Sequence, residues 1–124
     1  MQDFNFVILY VQNATASADF YARLLGRPAV EASPGFAMFL TPSGVKLGLW
    51  TRDTVEPKVA TANGGCELAF PMPDNAAVDQ THADWRERGL KVAQPPTDME
   101  FGRTFVALDP DGHRLRVFAP AASG

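Results

Sequence analysis

Few side chains in this sequence combine the types and spacing that chemistry requires. The candidates are the two histidines, His82 and His113, the single Cys66, and the charged pair Glu67 and Arg116, groups that can ligate a metal, move a proton or hold an anion. His82 falls within a helical stretch, and His113 follows an Asp111-Gly112 turn, so both read as surface or structural residues. Cys66 cannot form an internal disulfide or build a thiolate metal site alone, and it reads as a small buried or half-buried residue. Ser17 and Ser43 sit in helix and turn settings that favour local capping, and no base accompanies either. Acid–base catalysis asks for a partnered carboxylate, and Glu67 shows none. The better represented chemistry is that of flat rings: nine Phe, two Trp and two Tyr.

The elements that must position these residues come in duplicate. Thr41-Pro-Ser-Gly-Val-Lys-Leu-Gly-Leu-Trp50 reads like Asp109-Pro-Asp-Gly-His-Arg-Leu-Arg-Val-Phe118. In each, Pro followed two residues later by Gly sets a tight turn, and the alternation beyond it predicts a strand. Each half also opens alike. Phe4–Val11 and Cys66–Met72 are β-rich runs, followed by helical stretches with Asn13 and Asp74 as N-caps and Gly26 and Gly89 as closing residues. Between helix and last strand come two more strand-like runs, Ala29–Ala32 with Phe36–Leu40, and Lys91–Ala93 with Arg103–Leu108. The order β-α-β-β-β therefore occurs twice, over 4–51 and 64–120, with 52–63 as linker. One such unit is too small to bury a core unaided, so 1–124 is expected to be a single α+β domain of two βαβββ modules.

Parity along the strands sorts the side chains by face. One face carries Val7, Leu9, Val11, Leu47, Leu49, Leu68, Phe70, Met72, Leu115 and Val117, all apolar and suited to lie under the helices. The other carries Phe6, Ile8, Tyr10, Lys46, Gly48, Trp50, Glu67, Ala69, Arg114, Arg116 and Phe118. Large apolar groups gathered on a non-core face mark a ligand groove or an interface between chains. Trp50 is the first choice for a stacking platform, with Phe6, Tyr10 and Phe118 as walls. Gly48 either leaves room in a cup or marks a bulge. Arg116 either pairs with Glu67 or holds a ligand oxygen.

The run Leu9-x-Val11-x-Asn13, then Ser17-x-x-Phe20-Tyr21-x-x-Leu24-Leu25-Gly26, with Phe101-Gly102-Arg103 and Asp109-Pro-Asp-Gly112, resembles the vicinal oxygen chelate superfamily of glyoxalases, bleomycin-resistance proteins and extradiol dioxygenases. The resemblance spans essentially the whole chain. It implies a cupped mixed sheet with helices outside, and an arm-exchanged homodimer that completes each cup. In metal-using members, four ligands stand on the first and last strands of each module; the matching positions here are Phe6, Gly48, Glu67 and Arg116. Only Glu67 is a metal donor, so neither a metal site nor another cofactor is expected. Through Leu49-Trp50, Phe101-Gly-Arg-Thr-Phe105 and Asp109-Pro-Asp-Gly-His113, the chain is most similar to the phenazine-resistance-type, antibiotic-binding branch. Phe39, Phe101 and Phe105 are further aromatic candidates whose parity the repeat does not fix; the likeness adds Arg103 to the candidate ligand residues, and implies a phenazine, quinoxaline or quinoline guest.

A net charge of −3 gives no basic field for nucleic acid or an anionic membrane. The opening run MQDFNFVILYV lacks a signal peptide's charged start and is too short to span a bilayer, so a cytoplasmic protein is expected. The expected function is non-catalytic binding and sequestration of a planar aromatic antibiotic. The alternative is a lyase, isomerase or dioxygenase-like enzyme on the same scaffold.

Overall fold

In the computed structural model, residues 4–59 and 66–121 are described, and they fall into two compact units, Met1–Ala62 and Asn63–Gly124. The first unit runs β1 (Phe6–Val11), α1 (Ala14–Leu25), β2 (Glu31–Ala32), β3 (Phe36–Leu40) and β4 (Lys46–Thr51). The second runs β5 (Glu67–Pro71), α2 (Asn75–Glu87), β6 (Lys91–Met99), β7 (Gly102–Leu108) and β8 (Arg114–Pro120). The two sheets have the same topology, β1-β4-β3-β2 and β5-β8-β7-β6. In each, the closing strand lies parallel to the opening one and antiparallel to its hairpin partner. Arg52–Thr54 form a single 3-10 turn, the Glu56–Pro57 peptide is cis, and 60–65, including the end of the expected linker, lie outside the described residues.

The helices start and stop where the caps dictate. The side chains of Asn13 and Asp74 accept from the amides of Ala16 (3.0 Å) and Ala77 (2.8 Å), satisfying donors that the first helical turn leaves unpaired. Gly26 and Gly89 adopt the left-handed conformation just past the two helices, with φ of 70° and 89°. Thr51 ties the end of β4 to the start of α1. Its Oγ1 accepts from the Ala14 amide (3.1 Å) and donates to the Pro34 carbonyl (2.8 Å).

The parity reading holds along the opening and closing strands. Leu9, Val11, Leu47 and Leu49 are buried with Tyr21 in the first unit; Leu115 and Val117 are buried with Val78 and Trp85 in the second. Each such side chain stabilises by about 1.5–3 kcal/mol on leaving water. Trp85 sits at the centre of the second core, edge-on to Phe70 (6.0 Å) and Phe105 (5.5 Å).

Three local readings need correction. The run expected at Ala29–Ala32 is only the two-residue β2, while the run expected at Lys91–Ala93 is the nine-residue β6. Strand β6 carries Pro95 and Pro96, and its register against β7 slips twice, between Val92 and Gln94 and between Gln94 and Thr97. A proline cannot donate to the ladder, so the strand continues only by bulging around them. Cys66, just before β5, is exposed and not buried.

Candidate functional site

The helix-free face of the first sheet is set by the hairpin turn at Pro42–Gly44. That turn places Leu40 opposite Lys46, and the register then runs Phe39↔Leu47, Met38↔Gly48, Ala37↔Leu49 and Phe36↔Trp50. Phe36 and Met38 therefore share the face of Gly48 and Trp50, while Phe39 falls on the helix side. The result is a row of rings touching in sequence. Phe6 lies 6.4 Å from Phe36, Phe36 stands edge-on to Trp50 at 6.5 Å, and Trp50 stands edge-on to Tyr10 at 6.4 Å. Lys46 reaches over the Phe6 ring, its Nζ 5.8 Å from the centroid. Phe6 and Trp50 are partly exposed; Tyr10 and Ile8 are exposed.

Gly48 explains how the row fits. It marks neither a bulge nor an open hollow, since its register with Ile8 and Met38 is regular and it is buried. A Cβ there would stand 2.7 Å from Phe6 Cε1 and 3.0 Å from Phe36 Cζ. The glycine lets two rings lie against the strand backbone, so its contribution to binding runs through Phe6 and Phe36. Phe36 was the residue missed by parity alone, although counting back from the Pro42–Gly44 turn would have found it.

Two other aromatic candidates move to the core. Phe39 and Phe105 are both fully buried on the helix side, and Phe105 also meets His82 edge-on at 5.2 Å, so neither offers a ring face to a ligand. Arg103 leaves the candidate face as well. It pairs with Ala119 on the helix side, donating from Nε to Asp79 of α2 (2.7 Å) and from Nη1 to Asp98 (2.9 Å). Those two carboxylates raise its pKa further above its ordinary value.

On the helix-free face of the second sheet, Glu67 and Arg116 form a two-pronged pair. Nε donates to Oε2 at 2.8 Å and Nη2 to Oε1 at 3.0 Å. Arg116 Nη1 also donates to Thr104 Oγ1 (3.2 Å), whose hydroxyl in turn donates to the Val117 carbonyl (2.9 Å). The Arg116 guanidinium lies 5.9 Å from the centre of the exposed Phe101 ring. Its hydrogen bonds hold the Glu67 carboxyl below its ordinary pKa, against a smaller opposing push from burial. Phe118, partly exposed, stands on this face opposite Thr104 and Pro71.

Phe101 is presented by an unusual turn. Gly102 has φ of 143°, and a Cβ on it would collide with the Ala119 carbonyl oxygen, so no other residue fits between β7 and β8 there. The Phe101 carbonyl accepts from the Ala121 amide (2.8 Å) and closes the contact. In the β7–β8 turn, Asp109 is buried and accepts from the amides of Asp111 (2.9 Å) and His113 (2.8 Å). Its second oxygen meets His113 Nδ1 at 2.8 Å, which assigns that histidine to the turn.

The four positions that the family resemblance matches to metal ligands do not carry a donor set here. Phe6 and Gly48 bring no donor, the Phe6 ring covers Gly48, and Arg116 already grips both oxygens of Glu67. Among the described residues, no three His, Cys, Asp or Glu side chains gather to hold a metal, and no helix is long and apolar enough to cross a membrane.

Two βαβββ units with matching topology and an aromatic-rich face define a class of paired-module protein. The family model described as the Glyoxalase/Bleomycin resistance protein/Dioxygenase superfamily matches residues 3–117, and the chain belongs to that superfamily. It is 30% identical over 117 residues to the phenazine antibiotic resistance protein EhpR of Enterobacter agglomerans, covering 91% of this chain and 88% of that one. A protein of Agrobacterium tumefaciens solved by solution NMR is 52% identical, with a TM-score of 0.90, covering 98% of this chain and 100% of that one. A glyoxalase/bleomycin resistance protein/dioxygenase from Nocardioides is 27% identical, with a TM-score of 0.84, covering 100% of this chain and 87% of that one.

Proposed function

We propose that this protein binds a planar aromatic natural product of the phenazine, quinoxaline or quinoline type without a metal, and confers resistance by sequestering it. The observation that carries this reading is the ring row Phe6–Phe36–Trp50–Tyr10, seated through Phe6 and Phe36 against Gly48. Likeness to a phenazine resistance protein supports the choice of guest. A flat polycycle laid on exposed ring surface gains about 0.5–1.5 kcal/mol per aromatic contact beyond the area it buries. Trp50 supplies the largest such surface, with Phe6 and Tyr10 of the same sheet as further contacts; Phe101 and Phe118 offer ring surface on the second sheet by itself. No catalytic role is assigned to any residue.

The protein acts in the cytoplasm as a homodimer in this reading, and the exposed apolar Phe4, Ile8, Tyr10 and Leu40 of the first unit support the association. Light scattering that returned a monomer at micromolar concentration would remove the dimer.

Titration with phenazine, followed by tryptophan emission, tests the binding. The accessible Trp50 is expected to be quenched and the buried Trp85 spared, so Trp50→Phe should abolish most of the signal. Calorimetry on Trp50→Ala should show affinity lowered about tenfold or more. Absence of binding across phenazine, quinoxaline and quinoline compounds would sink the reading. So would near-stoichiometric metal in the purified protein by elemental analysis, which favours an enzyme.

A further inference from the structure

On the first sheet by itself, β4 turns Lys46, Gly48 and Trp50 to the helix-free face. Every side chain that β1 and β3 set beside them on that face is apolar or aromatic. Lys46 is thus the single charge on the shared face of these three strands. The carboxylate of the same face, Glu31, stands opposite Met38 on the outer strand β2, with β3 between it and β4. Among the described residues, no carboxylate comes within ion-pair range of Lys46. The residue is half-buried, and its Nζ lies over the Phe6 ring, 5.8 Å from the centroid. A lysine can lay its stem along apolar surface in this way while its ammonium stays open to an anion.

The position of this charge is as informative as its sign. Lys46 and Trp50 are four residues apart on β4, about 13 Å along the strand. Gly48 lies midway, and the space above it is filled by the Phe6 and Phe36 rings. Phe36 in turn meets Trp50, so ring surface continues from the lysine to the tryptophan. A flat guest lying along that line meets the ammonium with a substituent at the end of its long axis, not with one on its flank.

We infer that Lys46 is a specificity-determining residue of the ring row, binding the carboxylate of an elongated planar aromatic acid whose rings extend along β4 toward Trp50. This rests on the planar-guest reading above and adds the charge of the guest and the direction in which it lies. Every group it uses belongs to one sheet. Complementary charge, not area alone, then separates an acid from its neutral analogue.

Calorimetric titration at pH 7 with phenazine-2-carboxylate, phenazine-1-carboxylate and uncharged phenazine-2-carboxamide tests the assignment. The 2-position is at the end of the tricycle's long axis and the 1-position is on its flank. The 2-carboxylate is expected to bind about fivefold more tightly than its amide and than the 1-carboxylate at low salt. Its advantage over the amide should shrink as salt rises. Lys46→Met, which keeps a stem over Phe6 but drops the charge, should bring the acid-to-amide ratio to about one, and Lys46→Arg should preserve it. Equal wild-type affinity for the 2-carboxylate and its amide would overturn the role of Lys46, and so would a ratio unchanged in Lys46→Met. In either case Trp50 quenching by the amide would leave planar-guest binding standing. Equal binding of the two acids would overturn the end-on placement. Failure of all three compounds to bind would remove the planar-guest reading and this inference together.

Discussion

Replacing Gly48 with alanine puts one methyl group into the tightest part of the ring row. The new Cβ meets Phe6 Cε1 at 2.7 Å and two atoms of Phe36 at 3.0 and 3.1 Å. Good carbon contacts lie at about 3.5–4.0 Å, so both rings must withdraw by roughly 0.5–1 Å. Overpacking of this kind costs about 1–3 kcal/mol. Both obstacles are the outer ends of partly exposed side chains, free to swing outward, so the expected cost is in the lower half, about 1–2 kcal/mol. For a chain of this length that corresponds to a melting temperature lower by about 3–8 °C. Urea denaturation gives the stability change, and near-ultraviolet circular dichroism reports whether the rings have shifted. The double variant Phe6→Leu with Gly48→Ala isolates the cause. With Cε1 removed, the alanine should cost at least about 0.5 kcal/mol less than in the wild type, a coupling that a double-mutant cycle resolves. A cost below about 0.3 kcal/mol, or the same cost in both backgrounds, would refute the account of Gly48 as a seat for the two rings.

Gly102→Ala should be far more damaging, about 3 kcal/mol or loss of folding, because its Cβ would strike the Ala119 backbone at a φ of 143°; thermal unfolding or soluble yield reads this. Glu67→Gln should cost about 0.5–1 kcal/mol at neutral pH, a modest figure because the Glu67 side chain is one-third exposed. Arg116 holds the folded-state pKa of Glu67 below its ordinary value, so the stabilisation is present above the unfolded value and is lost as pH falls through the folded one. Stability curves of the two proteins should therefore run apart at pH 6 and draw together as pH falls below the ordinary carboxylate range; a constant separation would contradict the pairing. Asn13→Ala and Asp74→Ala should each cost about 1 kcal/mol by urea denaturation, with Asn13→Asp close to neutral.

The module plan was legible because its signals are local and repeated. Asn13 and Asp74 cap with their own side chains, and the Pro–Gly turns each commit the strand that follows. Facing was legible along β1, β4, β5 and β8, where strict alternation leaves one solution. It failed along β3 and β7 because parity there is fixed by pairing to a neighbour. Phe39 and Phe105 thus stood as candidates, and Phe36 did not, until the registers Phe39↔Leu47 and Phe105↔Val117 assigned the first two to the core. Arg103 was misplaced for the same reason, since its partners Asp79 and Asp98 lie 24 and 5 residues away and no spacing rule joins them. The Glu67–Arg116 pair, by contrast, was within reach of parity once both residues fell on the same face of neighbouring strands.

Pro95 and Pro96 in β6 bear on how the protein behaves when crowded. Successive amides of a strand point to opposite edges, so two adjacent prolines remove one donor from the β7 side and one from the outer side. The first loss accounts for the slipped register. The second leaves the outer rim of that sheet unable to template a foreign strand along its length, a safeguard against end-on stacking into fibres. The FVILYV segment of β1, at the rim of the other sheet, has no proline and no charge. Concentrated or partly unfolded samples should accordingly associate through the first unit, leaving β6 the more soluble border.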